Sequence, residues 1–147
     1  MITIKSKRIL IVEDDPAFVK YLRECLRGAE LFIVRTLKDA MVHLESNKFD
    51  MVICDLMLPD WDRSPEAMLT MISMRARGAV VAAITGRVTN LPKHGCDAAA
   101  HKINVGTVDL MLSFLRDAER CAHSESCFIR PVRALENFVA MGQPVHS

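Results

Sequence analysis

The 147-residue chain has no C-x-x-C pair, and its five cysteines, Cys25, Cys54, Cys96, Cys121 and Cys127, are an odd number. A disulfide-stapled secreted framework therefore fits poorly. Aromatic residues are only 5% of the chain, too few for a surface that stacks bases or sugars. Neither sign of charge prevails, with 19 Lys plus Arg against 18 Asp plus Glu, so composition does not point to nucleic acid or an anionic membrane. No apolar run is long enough to span a bilayer. The four residues Ile9 to Val12 behind Lys5, Lys7 and Arg8 are too short for a signal-peptide core. A soluble cytoplasmic protein is expected.

What is present is an alternation. Ile9 to Val12 is a wholly apolar, β-branched run of the kind covered on both faces of a parallel sheet, and it ends at Glu13-Asp14-Asp15. Asp15 and Pro16 suit the cap and first position of a helix whose apolar residues are Phe18, Leu22, Cys25 and Leu26, with Gly28 to stop it. Leu31 to Val34 reads as a second strand, and Thr36 with Asp39 as a capping box before Ala40, Met41 and Leu44. Met51 to Cys54 reads as a third strand, ending at Asp55. Ser64-Pro65 opens a helix bearing Met68, Leu69, Met71 and Ile72, closed by Gly78. Ala79 to Ile84 is a fourth strand ending at Thr85, and Ala98 to His101 a weak fifth ending at Lys102. Val105 to Cys121 has the spacing of a long amphipathic helix. Strands alternating with helices predict an α/β fold, a doubly wound five-stranded parallel sheet.

In such sheets ligands bind at the carboxyl ends of the strands. Four of the five strands end there in a polar group: Glu13-Asp14-Asp15, Asp55, Thr85 and Lys102. Several carboxylates in one pocket repel one another unless a cation neutralises them, and all-oxygen ligands with room for water suit Mg2+. A lysine opposite and a threonine hydroxyl complete a site for a phosphoryl group.

The order E-D-D, D-L-M-L-P-D-W-D, A-I-T-G and H-K-I resembles the receiver domain of two-component response regulators, over about residues 7–121. The resemblance implies the flavodoxin-like receiver fold, with Asp55 as the phosphoacceptor that takes its group from a phosphohistidine. Asp14, Asp55 and the backbone carbonyl of Met57 would bind Mg2+, Glu13 would act through water, and Asp15 is the third acid. Thr85 would bond a phosphoryl oxygen, and Lys102 would pair with Asp55 or the phosphate. Met57 and Arg87 would flank the phosphoryl group, where Arg87 would hinder the attacking water and slow loss of phosphate. The implied partners are a histidine kinase or histidine phosphotransfer protein and a downstream protein target, with neither nucleic acid nor membrane. No metabolite would be turned over; the chemistry is phosphorylation and dephosphorylation of Asp55 alone.

Three positions depart from the family pattern. Ile103 stands where proline usually follows the lysine, so a trans bond is expected. Ala99 stands where an aromatic switch residue is usual, and Arg63 replaces a glycine. The missing aromatic and proline favour an alternative, a receiver-like scaffold that works without phosphorylation; the intact Glu13, Asp14, Asp55, Thr85 and Lys102 oppose it. An unrelated aspartate phosphatase fits less well, because D-L-M-L-P lacks a second Asp two residues after the nucleophile. Plainer roles also exist: Cys54 as a small buried hydrophobe, the Met68, Met71 and Met74 stripe as core, and Cys121, His123 and Cys127 as no zinc pattern. The segment from Arg87 to Gly95 is poor helix material. Residues 122–147 read as an extension with one short amphipathic helix (Val132, Leu135, Phe138, Val139), which would dock on the receiver, pair with a second copy or await a partner.

Overall fold

The computed structural model describes residues 5–86, 92 and 95–102. Its elements follow in the order β1 (Arg8–Val12), α1 (Pro16–Cys25), β2 (Glu30–Val34), α2 (Leu37–Ser46), β3 (Met51–Asp55), α3 (Pro65–Arg75), β4 (Val80–Thr85) and β5 (Ala98–His101). All five strands are parallel, in the order β2-β1-β3-β4-β5. This is the doubly wound α/β arrangement expected from the alternation, in the flavodoxin-like strand order that the resemblance implies. The step from β1 to β2 runs one way across the sheet, and those from β2 to β3 and β3 to β4 run the other. Right-handed crossovers therefore put α1 on one face and α2 and α3 together on the opposite one.

The apolar runs became strands because both of their faces are covered. Ile9 to Val12 in β1 and Met51 to Cys54 in β3 are fully buried, and β4 is buried throughout. β2, at the edge, is only half covered. The helix starts are set by local chemistry: the side chains of Asp15, Thr36 and Ser64 accept the N–H groups of Ala17, Asp39 and Ala67. α1 ends before Gly28, whose φ of 93° lies in the left-handed region. Arg63 keeps a negative φ, so the glycine missing there is not needed.

The methionine stripe on α3 divides. Met68 is fully buried and Met71 half-buried, but Met74 is 69% exposed, so the expectation of core along the whole stripe fails at Met74. Three residues per step falls short of the helical turn, and successive steps rotate off the buried face.

A second cap on α2 comes from far away in sequence. Asp60, in the β3–α3 loop, accepts the N–H groups of Leu37 at 2.9 Å and Lys38 at 3.0 Å. Desolvation alone would raise the Asp60 carboxyl, but these amide donors outweigh it and hold the pKa below the ordinary 3.8. Asp60→Ala is expected to cost about 1 kcal/mol near neutral pH, read from denaturant midpoints. The lowered folded pKa means this stabilisation is present above pH 3.8 and lost as pH falls through the folded value.

The expected helix over 105–121, the irregular segment after Arg87, the peptide bond to Ile103, the extension over 122–147 and the Cys121, His123 and Cys127 set lie outside the described residues. Among the described residues, no helix is long and apolar enough to cross a membrane.

Candidate functional site

The strand register builds the site. Val12 stands opposite Cys54, Asp55 opposite Ile84, and Thr85 opposite His101. Backbone bonds carry the ladder past the strand ends: Glu13 N–H to the Val34 carbonyl, Leu56 N–H to Ile84, and Lys102 N–H to Thr85. Glu13, Asp55, Thr85 and Lys102 are thus brought to one rim although 89 positions separate the first from the last.

Glu13, Asp55 and Thr85 are buried, at 0%, 3% and 1% exposure, and Asp14 is exposed. The Lys102 ammonium lies between two acids. It donates to Glu13 Oε1 at 2.9 Å, lies 2.8 Å from Glu13 Oε2, and donates to Asp55 Oδ2 at 3.2 Å. It also sits 4.9 Å from the centre of the Phe18 ring, whose face attracts a cation. The other Asp55 oxygen, Oδ1, accepts the Met57 N–H at 3.0 Å. Asp55 is therefore held at both oxygens in a fixed orientation, and the Met57 side chain is left 45% exposed at the mouth of the site.

Burial dominates the titration of Glu13 and pushes its carboxyl up to about 7, against the opposing effects of the Lys102 and Asp15 N–H donors. Desolvation would lower Lys102, but its bond to Glu13 and the charges of Asp55 and Glu13 prevail and raise it above its ordinary value. Burial, together with the Asp55 and Glu13 charges, pushes the Cys54 thiol upward, so this cysteine stays a thiol and serves as core.

One carboxylate oxygen each from Glu13, Asp14 and Asp55 lies within 4.8 Å of the others. Three hard oxygen donors, two of them buried, fit a divalent cation of the Mg2+ type, which would share Glu13 with Lys102. Asp15 lies outside this group; its Oδ1 caps α1 by accepting the Ala17 N–H at 3.0 Å.

The pattern of the response regulator receiver domain matches residues 9–103. The chain belongs to the response regulator receiver domain family. A 60-residue stretch of this receiver is 42% identical to part of the two-component response regulator ORR26 of Oryza sativa subsp. japonica, covering 37% of this chain and 10% of that protein. It is similar to the receiver domain structures from Methylobacillus flagellatus (26% identity, TM-score 0.63, 76% of this chain and 99% of that one) and Methanospirillum hungatei (26%, 0.65, 79% and 98%). It shares its fold with the response regulator TrrA of Thermotoga maritima, solved with Mg2+ and beryllium fluoride, at 24% identity and TM-score 0.63 over 74% of this chain and 98% of that one.

In this receiver Ala99 is buried in β5 with Ala83 beside it in β4, so no ring can swing inward at that place. Arg87, the other residue expected to flank the site, lies outside the described residues. Three features of the site were not anticipated from sequence: the direct Glu13–Lys102 bond, the Met57 N–H on Asp55, and the Phe18 ring under Lys102. The buried strand end at Glu13 was the available signal for the first. An acid fully enclosed beside other acids needs a cation, and Lys102 faces it.

Proposed function

We propose that this receiver accepts a phosphoryl group on Asp55 from a phosphohistidine and signals through protein contacts. The observation that carries the reading is the Asp55 carboxylate at the rim, oriented by Met57 N–H and Lys102 and flanked within 4.8 Å by Glu13 and Asp14. An Asp55 oxygen attacks phosphorus, the P–N bond to the donor imidazole breaks, and the imidazole leaves with its electron pair and takes up a proton. A carboxylate is a weak nucleophile, so positioning and charge neutralisation carry the step. Glu13, Asp14, Asp55 and the Met57 carbonyl would hold Mg2+, which supplies charge neutralisation between the acids and the phosphoryl oxygens. Lys102 is already beside Asp55 and would pair with the new phosphate; the Thr85 hydroxyl would donate to another oxygen. Asp15, as the cap of α1, positions the acid-bearing turn.

The donor would be a histidine kinase or a histidine phosphotransfer protein in the cytoplasm. The receiver would occupy residues 7–121, with 122–147 as an extension that docks, pairs or binds the downstream target. Ala99 favours a second reading, a scaffold that works without phosphorylation, because the usual aromatic response to Thr85 is missing. Beryllofluoride with Mg2+ separates the two. The first reading expects the melting temperature to rise by several degrees, because a ligand at a hundred times its Kd adds about 2.7 kcal/mol. Asp55→Asn should remove that rise, and an unshifted wild type would favour the scaffold.

A further inference from the structure

β2 is an edge of the sheet, where a further strand can add. It pairs with β1 residue for residue from Glu30 to Val34, without a bulge, and from Leu31 to Val34 it holds neither proline nor charge. The bonds toward β1 come from Glu30, whose N–H donates to the Lys7 carbonyl, and from Val34, whose carbonyl accepts the Glu13 N–H. Alternation along the strand therefore turns the N–H and carbonyl groups of Leu31 and Ile33 away from the sheet. Among the described residues no strand meets them.

Two cavities flank this edge, and both are lined by Ile33 and Arg35. The one toward α1, of about 360 Å3, adds Val19, Lys20 and Arg23; the one toward α2, of about 410 Å3, adds Val34, Val42, His43 and Asp39. The two sides differ in character. Lys20, Arg23 and Arg35 are exposed, and none forms an ion pair among the described residues. Glu13 and Asp14, at the inner end of the first cavity, belong to the acid cluster, and Glu30 pairs with Arg8 at 3.5 Å. The α1 side is thus cationic, whereas on the α2 side Val42 is 58% exposed. Successive side chains of an added strand point to opposite faces, so a strand alternating acidic and apolar residues matches both sides at once. We propose that the β2 edge takes an extended acidic segment of a partner protein as a sixth strand, its carboxylates toward Lys20 and Arg23 and its apolar side chains toward Val42. A second copy of this chain matches less well, because its own β2 would bring Leu31 and Ile33, not carboxylates, to the cationic side. The proposal does not depend on phosphorylation of Asp55.

The test is fluorescence anisotropy of a labelled octapeptide alternating glutamate and valine, titrated with the full chain. The same peptide with lysine for glutamate, or with every amide nitrogen methylated to remove its ladder donors, should bind about tenfold more weakly or worse. Arg23→Gln/Arg35→Gln should weaken the glutamate peptide by about fivefold or more, and so should added salt. Lys48→Gln/Arg77→Gln removes the same charge between the far ends of α2 and α3 and should leave the affinity as it was. Hydrogen exchange read by NMR should show the Leu31 and Ile33 amides protected when the peptide is bound. No binding at about 1 mM peptide, equal binding of the methylated or lysine peptide, or binding that leaves those two amides unprotected overturns the proposal. Protection of the same amides that grows with protein concentration in the absence of peptide assigns the edge to a second copy, and also overturns it.

Discussion

Lys102→Met is expected to destabilise the metal-free protein by about 3–5 kcal/mol near pH 8, because it leaves two buried carboxylates without their cation. The Lys102 ammonium contacts both oxygens of Glu13 and one of Asp55, and Glu13 is fully enclosed. The loss should depend on pH, with a sign set by Glu13. Its folded pKa of about 7 stands above the ordinary 4.5, so the contribution of Glu13 to stability is fully present below pH 4.5 and is lost as pH rises through 7. Without Lys102 that rise becomes larger, and Glu13 keeps its proton over more of the range. The variant should therefore recover most of its deficit near pH 5, where Glu13 is neutral. Denaturant unfolding at the two pH values reads this directly. Mg2+ should stabilise the variant more than the wild type, since the cation and the ammonium neutralise the same acids. A deficit independent of both pH and Mg2+ would mean that Lys102 contributes by packing alone.

Gly95→Ala should cost about 2–4 kcal/mol, from left-handed backbone strain together with overpacking. Gly95 has φ 89°, and a Cβ built there meets the Glu66 carbonyl oxygen at 2.9 Å, Thr70 Oγ1 at 3.1 Å and Leu69 Cβ at 3.2 Å. The first of these is helix backbone and has little room to yield. The close approach also serves the site. Ser73 Oγ donates to the Gly95 carbonyl at 2.7 Å, and two residues on, the Asp97 carboxylate accepts the Val81 N–H at 2.8 Å. These bonds fix the entry to β5, and β5 delivers Lys102. Gly78 is the internal control: its φ of 82° is similar, but an added Cβ meets nothing within 4 Å. Gly78→Ala should therefore cost only the strain, about 1–2 kcal/mol. Equal losses at the two glycines, measured by equilibrium unfolding, would contradict the packing argument.

The strands were legible because burial on both faces leaves an uninterrupted apolar run, and Ile9 to Val12 and Met51 to Cys54 are fully buried as that pattern requires. The helix starts were legible because caps are local: Asp15, Thr36 and Ser64 each bond an amide two or three residues on. The convergence of Glu13, Asp14, Asp55, Thr85 and Lys102 followed from one topological rule about strand ends. What sequence could not supply were contacts set by tertiary approach. Asp60 belonged to a motif but its role as a second cap on α2, 23 residues away, depends on how the β3–α3 loop folds back. The sharing of Lys102 between Glu13 and Asp55 depends on side-chain reach across the rim. Gly95 marked only the end of a segment poor in helix formers, and its distance to α3 shows why a larger residue does not fit. Met74 was misplaced because a spacing of three drifts around the helix.

The most direct measurement is chemical trapping of the phosphorylated residue. The full chain is incubated with phosphoramidate and Mg2+, reduced with borohydride to convert an aspartyl phosphate to homoserine, and mapped by peptide mass. The account predicts homoserine at position 55 and nowhere else, dependent on Mg2+ and absent from Asp55→Asn. Homoserine at another acid of the cluster, or none at all in a protein that is folded and supplied with Mg2+, would contradict it.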